Sequence, residues 1–139
     1  MSERLETYRP SRILLVDDER LVVAALAHML RAVGYRTDLA YNGQEALEKV
    51  SARDYDLIIC DIRMPVMDGR AFYGQLRSVH PQLSERVVFC TSDWDAPSTR
   101  GFLARSGAPV IAKPFRMRHV LDLVLTRVPA KSLVAEAAV

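Results

Sequence analysis

Apolar residues in this chain fall into two patterns that alternate along its length. Short apolar stretches, Arg12 to Val16, Leu57 to Cys60, Val87 to Cys90 and Val110 to Ala112, are bounded by polar or turn-forming residues and read as strands buried on both faces. Arg36 to Ala40 is a weaker segment of the same kind. Between the strands the spacing becomes helical. Val22, Ala25, Leu26, Met29, Leu30 and Val33 form one stripe of a helix within residues 19–33, which Gly34 stops. Gln44 to Ser51 predicts a second helix with Ala46, Leu47 and Val50 turned inward. A third runs from Gly69 to about Ser78 with Phe72 and Leu76 on its buried side, and His80-Pro81 ends it. Pro97 suits the first turn of a fourth, closed by Gly107. Met117, Val120, Leu121, Val124 and Val128 mark a fifth over 116–128.

Five strands alternating with five helices require parallel pairing through crossovers, with helices on both faces and all strand carboxyl ends along one edge. The expected fold is therefore α/β, a doubly wound, flavodoxin-like five-stranded parallel sheet. Residues 12–128 form the expected domain, residues 1–11 a lead-in and residues 129–139 a tail that extends the last helix or lies disordered.

Composition narrows the function classes. The 139 residues suffice for one domain with a sizeable core, and 50% hydrophobic with 26% charged residues is a globular balance. Nineteen Lys and Arg against 17 Asp and Glu give a formal charge of +2, too small to mark direct nucleic-acid binding. The longest apolar run, Leu21 to Ala27, falls far short of the ~20 residues of a membrane helix, so the expectation is a cytoplasmic protein with no membrane insertion. Cys60 and Cys90 lie in no CxxC or Cys/His cluster, which argues against zinc or a disulfide framework. If their strands are neighbours, the two thiols could face each other. His28, His80 and His119 read as surface residues.

Chemistry-bearing residues collect where the strands end. Asp17 and Asp18 follow the first strand, Asp61 the third, Thr91 the fourth and Lys113 the fifth, while the second contributes nothing. That distribution suits a 2-1-3-4-5 strand order, in which strands one and three flank the point where the winding reverses. Three converging carboxylates repel one another unless a cation is present or protons are retained. Hard oxygen ligands suit Mg²⁺, with Asp17, Asp18 and Asp61 as ligands and the main-chain carbonyl of Arg63 as a fourth. Lys113 can neutralise a bound phosphoryl group, the Thr91 hydroxyl can donate to one of its oxygens, and Asp61 can act as a carboxylate nucleophile.

Asp17-Asp18-Glu19, the stretch from Asp61 to Gly69 (DIRMPVMDG), Thr91-Ser92 and Lys113-Pro114-Phe115 resemble the motif set of receiver domains of two-component response regulators, in the same order and spacing, over about residues 12–128. The resemblance implies that Asp61 is the phosphoacceptor, taking a phosphoryl group from the phosphohistidine of a sensor histidine kinase or a histidine phosphotransfer protein with Mg²⁺ bound. It implies that Thr91 and Lys113 sense the new group, that Lys113-Pro114 is a cis peptide, and that a downstream protein reads the altered surface. Phe102 to Gly107 is similar to the corresponding stretch of receivers attached to hybrid sensor kinases, which leaves a relay role open.

Two departures stand out. Val110 lies three residues before the lysine, where many receivers carry Tyr or Phe, and Arg63 and Asp93 have opposite charges at positions that in this family flank the phosphoryl group. Those charges suggest a pair closing over the site. Two alternatives accompany this reading. An aspartate-nucleophile phosphatase would carry D-x-D at the end of the first strand, where this chain has adjacent Asp17 and Asp18. A phosphate-independent docking module of the same fold would not need Asp61, Thr91 and Lys113. The expectation is a signalling module, not a turnover enzyme, without an attached effector, since eleven residues after Val128 hold no DNA-binding domain; its oligomeric state, a dimer included, is left open.

Overall fold

A computed structural model describes residues 10–129. Five strands, β1 (Arg12–Val16), β2 (Arg36–Ala40), β3 (Leu57–Cys60), β4 (Val87–Thr91) and β5 (Val110–Ala112), form a single parallel sheet in the order 2-1-3-4-5. The helices are α1 (Arg20–Val33), α2 (Gly43–Ala52), α3 (Gly69–Val79), the one-turn α4 (Pro81–Ser84), α5 (Pro97–Ser106) and α6 (Met117–Arg127). Among the described residues there are six where the sequence predicts five. The breaker His80-Pro81 ends α3 as expected, but Pro81 also pre-sets the first turn of α4.

Alternation along the strands divides the core into two layers. Ile13, Leu15, Ile59, Val88, Cys90 and Ile111 face α1 and α6, whereas Leu14, Val16, Ile58, Cys60 and Phe89 face α2, α3 and α5. Connections that move toward β2 cross one face and those that move toward β5 cross the other. All crossovers therefore share one hand, as the twist of parallel strands demands. Burial on α1 falls on Val23, Leu26, Ala27 and Leu30. Ala25 of the predicted stripe is exposed, as is Met117 at the start of α6. The first is a shift of helical phase by about one residue; the second is an exposed first turn on a helix that buries Val120 and Val124 as predicted.

Cys60 and Cys90 are free and sit on adjacent strands, but Cys60 is in register with Phe89, so the two thiols point to opposite faces and do not meet. Burial holds both thiols un-ionised, pushing Cys90 up to about 12. Local chemistry fixes the ends of the elements that frame the sheet edge. Gly34 and Gly107 close α1 and α5 in the left-handed conformation. The Asn42 side chain accepts from the Glu45 N–H at 2.9 Å while the Glu45 carboxylate accepts from the Tyr41 N–H at 3.1 Å, a reciprocal cap that starts α2. At the opposite end of the sheet, Asp38 accepts from the Tyr55 hydroxyl at 2.7 Å and pairs with Arg12 and Arg53. The Tyr35 hydroxyl donates to the Val128 carbonyl and ties the end of α6 to the start of β2. None of the helices among the described residues is long and apolar enough to cross a membrane.

Candidate functional site

The sheet ladder continues one residue beyond the strands and thereby sets the site. Asp17 N–H donates to the Ala40 carbonyl at 3.0 Å, Asp61 N–H to the Val16 carbonyl at 2.8 Å and Lys113 N–H to the Thr91 carbonyl at 2.9 Å. Three candidate site residues are thus held by the backbone of the neighbouring strand, so their side chains project from one rigid edge. Asp17, Asp61 and Thr91 are all buried.

Lys113 occupies the middle. Its Nζ lies 2.7 Å from Asp17 Oδ2, 3.0 Å from Glu19 Oε1 and 3.3 Å from Asp61 Oδ2. The side chains of Lys113, Asp17 and Asp61 are nearly closed off, while Glu19 is 56% exposed at the rim. Asp61 Oδ1 accepts from the Ile62 N–H at 2.7 Å, and Asp17 Oδ1 from the Glu19 N–H at 3.0 Å. Burial, opposed by the Lys113 charge, lifts the Asp61 carboxyl from its ordinary 3.8 to about 6, with the Asp17 charge adding to the rise. Burial alone would make Lys113 easier to deprotonate, but its hydrogen bonds to Asp17 and Glu19 and the surrounding negative charge carry it above its ordinary value.

Carboxylate oxygens of Asp17, Glu19 and Asp61 lie within 4.8 Å of one another, a set of hard donors of the kind that holds a small divalent cation. Asp18 is exposed and does not join this cluster. Asp17 Oδ1 accepts from the Glu19 N–H, so the chain bends at Asp18 and brings Glu19 back to the side of Asp17. From the sequence Glu19 has no site role of its own and stands only within the Asp17-Asp18-Glu19 motif. Thr91 Oγ1 accepts from the Asp93 N–H at 3.1 Å, an arrangement that leaves its proton to donate elsewhere. The anticipated charge pair is present, with the Arg63 guanidinium 2.8 Å from Asp93 Oδ2 and joining the loop after β3 to the loop after β4. Lys113-Pro114 is cis, and Val110 is 39% exposed on the edge strand.

The segment after Asp61 is held from behind. Met67 N–H donates to the Pro65 carbonyl at 2.8 Å around Val66, whose φ of 69° is a rare conformation for a β-branched residue and makes a γ-turn. The Met67 carbonyl then accepts from Gly43 N–H at 2.8 Å, docking the loop on the start of α2. Gly69 packs directly against the Asp61 peptide. A Cβ there would lie 2.2 Å from the Asp61 carbonyl oxygen, so only glycine fits. Asp68 caps α3 by accepting from the Ala71 N–H at 2.9 Å.

Comparison with known proteins agrees with this geometry. The response regulator receiver domain family matches residues 13–125. The transcriptional regulatory protein ZraR of Klebsiella oxytoca is 35% identical over 128 residues, 91% of this chain and 28% of that protein. The signal receiver domain of a signal transduction histidine kinase from Syntrophus aciditrophicus superposes with a TM-score of 0.75 at 32% identity, covering 84% of this chain and 88% of that one. The receiver domain of sensor histidine kinase PA1611 from Pseudomonas aeruginosa PAO1, solved with a magnesium ion in its active site cleft, does so with a TM-score of 0.74 at 26% identity, covering 86% and 98%. The chain spans less than half the length of the curated relatives it matches. A sheet in the order 2-1-3-4-5 with an aspartate-lysine cluster at its carboxyl edge, matched over residues 13–125, places this chain in the response regulator receiver domain family.

Proposed function

We propose that this receiver is a phosphoacceptor that takes a phosphoryl group onto Asp61 from the phosphohistidine of a sensor histidine kinase or a histidine phosphotransfer protein, and signals to a protein partner by a change of shape. The observation that carries this reading is the convergence of Asp17, Asp61 and Lys113, with Lys113 Nζ at 2.7 and 3.3 Å from the two carboxylates. Oδ1 of Asp61 is engaged by the Ile62 N–H, which leaves Oδ2 as the attacking atom. The new P–O bond forms as the P–N bond of the donor breaks, and the departing imidazole keeps the electron pair and takes up a proton. Lys113 exchanges its contact with Oδ2 for a phosphoryl oxygen, and the Thr91 hydroxyl donates to another.

Asp17, Asp18 and Asp61, with the main-chain carbonyl of Arg63, are the proposed Mg²⁺ ligands, Asp18 from the exposed side of the site. When bound, the ion offsets the charge that develops on the phosphoryl oxygens. Self-catalysed hydrolysis, by water attacking the acyl phosphate, resets the domain. The test is incubation with acetyl phosphate and Mg²⁺ followed by intact mass. Wild type gains the mass of one phosphoryl group and Asp61→Ala does not. A wild type that gains nothing from acetyl phosphate or from a phosphorylated kinase overturns the proposal.

A further inference from the structure

Arg70 stands on the first turn of α3, immediately after the glycine that packs against the Asp61 peptide, and its guanidinium is directed entirely at α5. It donates to Thr99 Oγ1 at 2.8 Å and to Ser98 Oγ at 3.3 Å, and it lies 5.6 Å from the centre of the Phe102 ring. Among the described residues it pairs with no carboxylate. Thr99 is the one buried residue of α5, and the Arg70 N–H satisfies its hydroxyl oxygen. One turn further on, Tyr73 of α3 meets Phe102 edge to face at 5.7 Å, and its hydroxyl donates to the Ser106 carbonyl at 3.4 Å. A charged donor on a buried hydroxyl is the strongest of these links, so Arg70 decides where the first turn of α5 rests on α3.

We propose that Arg70 is a positioning residue that latches α5 in its resting place, and that phosphorylation of Asp61 works against this latch. The inference rests on the reading of Asp61 as the phosphoacceptor. Thr91 Oγ1 holds the Asp93 N–H, so when its hydroxyl turns to a phosphoryl oxygen the loop of residues 92–96 is drawn toward Asp61 with it. That loop runs straight into α5 at Pro97, and Ser98 and Thr99 follow. Arg70 does not follow, because Gly69 beside it is already seated on the Asp61 peptide. The two ends of the latch therefore part as the site fills. A contact made in only one of two states is coupled to whatever selects the other, so the hold on α5 lowers the readiness of Asp61 to be phosphorylated.

The experiment compares the full chain with Arg70→Met, Arg70→Lys, Thr99→Val and the Arg70→Met, Thr99→Val double variant, each checked for an intact urea transition. One readout is the initial rate at which the protein gains a phosphoryl group from subsaturating acetyl phosphate with Mg²⁺, followed by intact mass. The other is amide hydrogen exchange over α5. Arg70→Met and Thr99→Val are each expected to be phosphorylated about five- to tenfold faster than wild type, and the double variant no faster than the quicker single, since both remove one contact. Arg70→Lys keeps a charged donor and should fall between wild type and Arg70→Met. Exchange over α5 should rise in unphosphorylated Arg70→Met while α3 stays protected, and phosphorylated wild type should show the same rise. A general loss of stability would slow the reaction, so an unchanged or slower rate in Arg70→Met overturns the proposal, as does α5 protection equal to that of wild type. A wild type that takes up no phosphoryl group fails the reading of Asp61 instead, so the two failures are distinguishable.

Discussion

Replacing Asp61 by Asn should make the metal-free protein more stable, and the size of the gain follows from the site. Burial raises the Asp61 carboxyl from 3.8 to about 6, so ionising it in the folded state is unfavourable by about 2 units, or about 3 kcal/mol as an upper bound. Glu19 at 56% exposure opens one side of the cluster to water, which reduces the figure to about 1–2 kcal/mol. The sign is fixed by proton linkage. Between pH 3.8 and about 6 the folded protein binds more protons than the unfolded chain, so wild type loses stability as pH rises through that window and carries the full penalty above it. Asn keeps an oxygen for the Ile62 N–H, and Lys113 keeps Asp17 and Glu19. Urea titrations in EDTA at pH 7.5 should show the variant ahead by about 1 M in midpoint, for a slope of ~1–2 kcal/mol/M. By pH 4 the advantage should be gone. Saturating Mg²⁺ should then raise wild type selectively, by about 2.7 kcal/mol at a hundred times the dissociation constant. A variant no more stable than wild type at pH 7.5, or one whose advantage persists undiminished at pH 4, refutes the argument.

Three other perturbations test separate parts of the structure. Arg63→Ala removes an exposed bridge to Asp93 and opens the site to water, so the acyl phosphate should decay up to about fivefold faster, matching a pair worth ~1 kcal/mol; an unchanged rate of phosphate release removes the idea. Gly69→Ala forces a methyl group to 2.2 Å from the Asp61 carbonyl oxygen and should cost ~3 kcal/mol or more in urea unfolding, while the same change at Gly74, where a Cβ meets nothing within 4 Å, should be neutral or stabilising. Tyr55→Phe should lower stability by about 1–2 kcal/mol through loss of the 2.7 Å bond to Asp38, which retains Arg12 and Arg53; an unaltered midpoint would show that the arginines suffice.

Strands β1, β2, β3 and β5 are legible in the sequence to the residue; for the central β1 and β3 the reason is that a strand buried on both faces must end where a charged or turn-forming residue first appears. Helical phase is less legible. Val22 and Ala25 of the predicted stripe give way to Val23 and Ala27 because α1 is apolar over most of its circumference, and packing against the sheet chooses the face. The Arg63–Asp93 pair is readable because Arg63 lies two positions past Asp61 and Asp93 two past Thr91, at places where two loops must meet. Glu19 was not, since an acidic residue at the start of a helix has an ordinary explanation in the helix dipole, and only the side on which its carboxylate emerges separates it from Asp18. The opposite orientation of Cys60 and Cys90 depends on a one-residue register between β3 and β4 that nothing in either strand specifies alone.

The contact between Gly69 and the Asp61 peptide makes α3 an anvil. With its first turn seated on the acceptor's backbone and its loop pinned to α2, that side of the molecule has no slack with which to register what happens at Asp61. Across the cleft the situation is reversed: α5 buries only Thr99, and it is steadied from α3 by Arg70, which donates to Thr99 Oγ1 at 2.8 Å and to Ser98 Oγ at 3.3 Å. On the function proposed above, displacement at Asp61 passes more easily through the Thr91–Ala96 loop toward α5 than into α3, and an output partner that binds α5 would sense it.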